Sequence, residues 1–249
     1  MGLCVNAISL YARPTAGFDP RIASALTLLR DAAQVHAGAI VFTTSLGAED
    51  MVITDLIARN GLAIPLATLE TGKLHAQTLA LIPRIEARYG LVVERWQPQA
   101  EKTLHFVARH GELAMRQTVE LRQACCTMRK LEPLARALQG RRTWITGLRR
   151  EQSGTRAEVP FSSTDDNGRT KLSPLADWSW HDVWQYIAVN DVPTNPLHDE
   201  FYPSIGCEPC TRAVALGEDF RAGRWWWEQD DAKECGLHVG RHEAQEQVA

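Results

Sequence analysis

Five of the six cysteines fall into a pattern that packing alone would not produce: a vicinal pair, Cys125-Cys126, a Cys-x-x-Cys at Cys207 and Cys210, and a lone Cys235. Two tight thiolate pairs can hold a metal ion or an iron–sulfur cluster, which leaves the fifth thiol for nucleophilic work. Taken alone, Cys207-Glu-Pro-Cys210 is open between zinc, a redox dithiol and a cluster. The vicinal pair shifts the balance to a cluster, because adjacent residues on one small zinc ion strain the backbone, whereas a cluster offers separate iron corners. A redox disulfide at either pair stays open. Cys235 sits in Lys233-Glu-Cys-Gly-Leu-His238. Lys233 and His238 favour a thiolate there and Glu234 opposes them, while an exposed thiol without a role fits the local sequence equally well.

Basic residues cluster around these thiols in the sequence. Lys130 follows Cys126 by one helical turn and would share its face. Arg149, Arg150 and Arg156 flank one loop, and Arg221 and Arg224 lie beyond the second cysteine pair. Singly, each reads as a solvated surface charge; together in one cleft they would clamp an anion. Two loops have the form of anion sites. Ser45-Leu-Gly-Ala-Glu-Asp follows an expected strand and opens a helix, so backbone N–H groups, Ser45 and Gly47 are its candidate contacts. Glu49 and Asp50 suit the helix dipole but would repel a phosphate beside them. An ordinary capped strand-to-helix turn explains that segment as well. Leu69-Glu-Thr-Gly repeats the arrangement one strand later, with Thr71 and Gly72 as contacts, and two such turns suit a nucleotide at the carboxyl edge of a parallel sheet.

Alternating β-branched runs and amphipathic stretches supply the elements that must position these groups. Strands are expected at Ala39–Thr44, Ile64–Leu69, Leu91–Trp96 and Arg142–Thr146, with helices from Ala48 to Asn60 and from Leu74 to a stop at Gly90, the latter kinked by Pro83. Gly111 should break a further helix. The polar stretch from Glu151 to Arg169 reads as a mobile loop. Ser179 with Asp182 caps another helix, whose Trp180, Trp184 and Ile187 form a core-facing stripe. The class is α/β with a largely parallel sheet flanked by helices, organised as one domain over residues 1–225 and a mobile tail over 226–249.

The composition, with 45% hydrophobic residues and a formal charge of −3 over 249 residues, provides a sizeable core and argues against a nucleic-acid-coating surface. No run approaches the ~18 apolar residues of a membrane span, so a reducing cytoplasm without a membrane partner is expected. Cys4 is expected to have no role. The oligomeric state is open, a homo-oligomer included.

The joint set Ser45-Leu-Gly-Ala-Glu-Asp, Leu69-Glu-Thr-Gly, Cys125-Cys126 with Arg129-Lys130, Thr146-Gly-Leu-Arg-Arg-Glu-Gln-Ser, Asn195-Pro-Leu-His, Gly206-Cys-Glu-Pro-Cys, Gly223-Arg-Trp and Glu234-Cys-Gly-Leu-His resembles the thioredoxin-dependent adenylyl-sulfate reductases of sulfate assimilation and cysteine biosynthesis. The resemblance implies an adenine-nucleotide alpha-hydrolase fold related to ATP pyrophosphatases and a 4Fe–4S cluster on Cys125, Cys126, Cys207 and Cys210. It also implies Cys235 as nucleophile and adenosine 5′-phosphosulfate (APS) as substrate. Relatives acting on the 3′-phosphorylated nucleotide (PAPS) lack the cluster cysteines, all four of which are present here. Glu70 stands where many relatives carry Asp.

On this footing Lys130, Arg150, Arg221, Arg224 and His238 are expected to screen attack on the sulfate, giving an S-sulfocysteine and AMP. With four cysteines on the cluster and Cys235 as nucleophile, only Cys4 remains. An external thioredoxin or glutaredoxin must then release sulfite. The competing readings are a PAPS reductase, an ATP pyrophosphatase such as a tRNA-thiolating protein, and a zinc-stapled binding module in which Cys235 is idle. The pyrophosphatases usually carry Ser-Gly-Gly-x-Asp-Ser in the first loop, which this chain lacks.

Overall fold

The structure is a computed structural model describing residues 6–215 and 217–228; Cys4, Cys235 and His238 lie outside the described residues. Two helices open the fold, α1 (Ala7–Tyr11) and α2 (Phe18–Val35). They precede the stretch in which the sequence shows strand and helix alternation, although Ala25, Leu29 and Ala32 of α2 recur at helical spacing and are buried. Strand β1 (Ile40–Thr44) leads into α3 (Ala48–Arg59), β2 (Leu66–Leu69) into α4 (Ala76–Tyr89), and β3 (Val93–Trp96) into α5 (Ala100–His110). Pro83 lies inside α4, and Gly90 and Gly111 follow the ends of α4 and α5.

A continuous helical run then carries the first cysteine pair. Helix α6 (Val119–Cys126) passes through a π-helical turn at Thr127–Leu131 into α7 (Glu132–Ala137). Such turns are rare and often mark functional sites. Strand β4 (Thr143–Ile145) follows, then a hairpin of β5 (Ser162–Thr164) and β6 (Thr170–Leu172), and α8 (Trp180–Asn190) with the Ser179–Asp182 capping box in place.

The hairpin corrects the expectation that Glu151 to Arg169 is loop throughout: that segment contains two short 3₁₀ turns and β5. The signal is absent because β5 is an edge strand with all three residues exposed, so it carries no apolar alternation. The sheet has the order β3-β2-β1-β4-β6-β5, parallel throughout except for β5 against β6. Successive β1 residues point to opposite faces. Ile40 and Phe42 pack into the core with α3, α4 and α8, and Val41 faces Leu134 and Leu138 on the other side. Asp55, fully buried on α3, accepts hydrogen bonds from Tyr89 (2.7 Å), Tyr186 (2.8 Å) and Arg59 (2.9 Å), tying α3 to α4 and α8. No helix among the described residues is long and apolar enough to cross a membrane.

Candidate active site

The sheet reverses its winding between β1 and β4, and a cleft of about 210 Å³ opens at the carboxyl ends of β1, β2 and β4. This is the crevice that parallel sheets offer to nucleotides. It is lined by Thr44 at the end of β1 with Ser45 and Gly47 beyond it, Leu69 at the end of β2 with Thr71 beyond it, and Thr146 and Gly147 after β4. Lys130, Arg156 and the Arg221–Arg224 turn bring positive charge to it from three other segments.

Buried acids shape the first loop. Asp50 Oδ2 accepts from the Ser45 backbone N (2.5 Å) and Ser45 Oγ (2.6 Å), folding the loop back onto α3. A Cβ on Gly147 would come within 2.0 Å of Asp50 Oδ1, so the β1 and β4 loops meet at a point that only glycine allows. Burial pushes the Asp50 carboxyl up to about 7, against the Ser45 hydrogen bonds and with the help of the Glu49 charge. Burial also raises Glu49, but the Arg149 charge and the hydrogen bonds from Gln152 and Arg149 outweigh it, so Glu49 is held below its ordinary value. Its Oε1 accepts from Arg149 Nη2 (3.0 Å), Arg149 Nε (3.1 Å) and Gln152 Nε2 (3.0 Å).

The raised Asp50 carboxyl has a consequence for stability. The folded state bears no cost below the unfolded-chain pKa of 3.8, a growing cost as pH rises towards 7, and a constant one above. Asp50→Asn keeps an acceptor for Ser45 and cannot ionise. Its urea midpoint, compared with the parent at each pH, is expected to gain steadily from pH 4 to 7, by an amount worth a few kcal/mol in all. Parallel midpoint-against-pH curves for the two proteins would disprove the assignment.

The arginines separate by role. Arg149 is buried, bonded to Glu49, Glu151 and the Trp178 carbonyl, and stacked 5.4 Å from the Trp180 ring. Arg150, expected in the substrate clamp, lies apart from the cleft lining. It is exposed, donates to the Val159 carbonyl (2.9 Å) and lies over Phe161, outside the residues that line the cleft. The 3₁₀ turn at Arg150–Gln152 sends neighbouring side chains to opposite sides, and Arg156 takes the inward place with Nη1 donating to Gln152 (2.7 Å).

Gly72 is likewise not part of the cleft lining. Its φ of 69° turns the chain, and an added Cβ would press on Arg129 Nη1 at 3.3 Å. Glu70 is also absent from the lining. His198 lines the cleft, and burial pushes its pKa down, so it is a neutral ring there.

Arg224 is buried and reaches the Ser204 hydroxyl and Ile205 carbonyl at 3.4 Å. Gly206 makes room for it: a Cβ there would lie 2.4 Å from Arg224 Nη2. Gly206→Ala is therefore expected to displace the guanidinium and raise KM for an anionic nucleotide by about ten- to a hundredfold, the worth of charge-assisted hydrogen bonds. An unchanged KM would remove Arg224 from the clamp.

All four paired cysteines meet at a second, small cavity that Lys130 shares with the cleft. Cys125, Cys207 and Cys210 are buried and Cys126 half-buried, all free thiols. Burial pushes Cys210 up to about 11 and also raises Cys125, which the Arg129 charge pulls partly back. Thr71 Oγ1 lies 3.3 Å from Cys207 Sγ. Arg129, absent from the sequence-derived contacts, is buried here and donates to the Thr71 carbonyl (2.7 Å).

The Nε of Arg129 and the Nε1 of Trp225 are buried donors without a partner beside these sulfurs. No three His, Cys, Asp or Glu side chains among the described residues form a group that could hold a metal ion. The donor chemistry nonetheless fits an anionic, sulfur-ligated cluster: four thiols, unpartnered N–H donors and two nearby cations.

Residues 39–213 match the model of the phosphoadenosine phosphosulfate reductase domain. An adenosine 5′-phosphosulfate reductase from Allochromatium vinosum is 53% identical over 88% of this chain and 85% of its own length. One from Neisseria meningitidis is 55% identical over 79% and 82%. Among solved structures, a phosphoadenylyl-sulfate reductase from Candida auris in a phosphate complex is similar at a TM-score of 0.65 and 26% identity, covering 82% of this chain and 100% of that one. An FMN adenylyltransferase from Candida glabrata shares the fold, with a TM-score of 0.57 at 13% identity over 96% of this chain and 86% of that one.

Proposed function

Since the chain belongs to the phosphoadenosine phosphosulfate reductase domain family, among its adenosine 5′-phosphosulfate reductases, we propose that it reduces APS to sulfite and AMP through Cys235, with thioredoxin or glutaredoxin as electron donor, in assimilatory sulfate reduction in the cytoplasm. The observation that carries this reading is the shared position of Lys130, which lines both the nucleotide cleft and the four-cysteine cavity. A cation so placed faces the phosphosulfate on one side and the sulfurs on the other.

Adenosine occupies the crevice at the ends of β1, β2 and β4, with the phosphosulfate towards Lys130, Arg221 and Arg224. Their charges offset the repulsion between the anionic anhydride and an incoming thiolate, and then the charge on departing AMP. The Cys235 thiolate attacks sulfur. The S–O bond to the phosphate breaks, AMP leaves with the bridging oxygen, and an S–S bond forms to give Cys235 S-sulfonate. One thiolate of the external dithiol then attacks Cys235 Sγ and expels sulfite. Its second thiol displaces Cys235 from the mixed disulfide, so two electrons pass from the dithiol to sulfur. His238 is proposed to assist the thiolate.

Cys125, Cys126, Cys207 and Cys210 would hold the 4Fe–4S cluster. When bound, the cluster supplies a fixed sulfur-rich charge against which Lys130 is oriented.

The test is the intact mass of anaerobically purified protein after APS alone, with peptide mapping and PAPS as comparison substrate. A sulfonate on Cys235 that thioredoxin removes as sulfite is the expected result. An adduct formed only with PAPS would move the substrate assignment, and no adduct with either would end the nucleophile assignment.

A further inference from the structure

Trp225-Trp-Trp-Glu228 straddles the domain boundary expected between residues 225 and 226 and packs on the cysteine site. Trp225 is 1% exposed, packs with Met115, Cys125, Cys207 and Cys210, and donates its backbone N–H to the Cys210 carbonyl at 3.2 Å. Trp227 packs against the same cluster.

Two arginines pin this strap, each on different rings. Arg116 lies 5.0 Å and 5.5 Å from the ring centroids of Trp226 and Trp227, and its Nε donates to the Pro209 carbonyl within the Cys207–Cys210 turn. Arg122, on the helix that ends in Cys125-Cys126, stacks on Trp225 at 4.7 Å and bonds Glu228 Oε1 at 2.6 Å. That ion pair is almost wholly buried, with side-chain exposures of 1% and 4%, and Glu228 Oε2 has no partner. A buried pair with one oxygen unsatisfied is a poor source of stability, and its effect lies in fixing where the strap sits.

We propose that Trp225–Glu228 is a cover over the cysteine site, latched by the buried Arg122–Glu228 pair, that controls the access of small oxidants, chelators and thiol reagents to the sulfurs. Tethering of the nucleophile is the alternative use for such a latch, and its magnitude is too small. Cys235 follows Glu228 by seven residues and Trp225 by ten. Lengthening the tether by that difference changes local concentration by less than about twofold, given its −3/2-power dependence on length. Opening the latch therefore alters access to the sulfurs far more than turnover. The bleaching arm of the test rests on the cluster reading above, and the thiol arm does not.

The variants are Glu228→Gln, which removes the ion pair and leaves the Arg122 charge uncompensated, and Arg116→Gln, an exposed change that spares the fold. Tyr89→Phe, which loses a hydrogen bond to Asp55 far from the site, is the control for general loosening. Three quantities are measured: anaerobic KM and kcat with APS and thioredoxin, the rate at which the brown colour bleaches in air or chelator, and alkylation rates of Cys207 and Cys210 in iron-free protein by peptide mass.

Glu228→Gln should raise both access rates at least about fivefold, as expected when a local opening becomes easier, with Arg116→Gln between it and the parent. KM and kcat should stay within about twofold. Unchanged access rates in both strap variants would overturn the cover, as would an equal rise in Tyr89→Phe. Protein isolated without iron would refute the cluster reading, while the alkylation rates would still decide on the cover.

Discussion

Serine in place of Cys235 is expected to abolish sulfite formation, with turnover at least ~10³-fold down, while AMP binding is unchanged. Loss of a covalent nucleophile commonly removes catalysis on that scale or beyond, because neither binding nor charge stabilisation substitutes for the bond it makes. The cleft proposed to hold the nucleotide is lined by Ser45, Thr71, Thr146 and the basic residues of the described fold, none of which depends on that sulfur. Two measurements carry the test: sulfite release in the presence of thioredoxin, and the AMP dissociation constant by calorimetry. Retained turnover would move the nucleophile to another thiol. A matching loss of AMP affinity would make Cys235 part of the binding site.

Cys126→Ser is expected to lose both iron and activity. Groups that merely orient metal ligands cost ten- to a hundredfold when removed, so a direct ligand should cost about a hundredfold or more in activity. Cys126 is the half-buried member of the four, which makes it the gentlest substitution for the apolar packing around Met115, Cys210 and Trp225. Iron per chain, the visible spectrum and APS reduction are measured together. Full iron with full activity would strike Cys126 from the ligand set. Full iron with lost activity would give it a role in turnover instead.

Local pattern made much of this protein legible. The first four strands and the helices after three of them are visible because a buried parallel strand is a β-branched run and a flanking helix repeats its apolar residues every three to four positions. The capping box at Ser179 with Asp182 is equally local, since cap and partner are three residues apart. The β5–β6 hairpin was hidden for the opposite reason, because an exposed edge strand needs no apolar code. In the candidate site the cysteine pairs announced themselves through residue type and spacing. Arg149 and Arg150 show where that signal ends. They are neighbours of identical chemistry, and only the 3₁₀ turn decides that one is buried against Glu49 while the other stacks on Phe161 at the surface.

Local residue pattern set the inventory: an α/β chain with two loops suited to anions, four thiols in two pairs and a fifth alone. It did so because ligand chemistry and helix or strand periodicity are properties of residues a few positions apart. The tertiary structure decided which of these groups meet. It joined Cys125 to Cys207 and set Lys130 between cleft and thiols. It made room at Gly206 for Arg224, held Asp50 against Gly147, and latched Glu228 to Arg122. Each of these joins residues far apart in the chain, whose approach depends on sheet order, close packing and the exclusion of water.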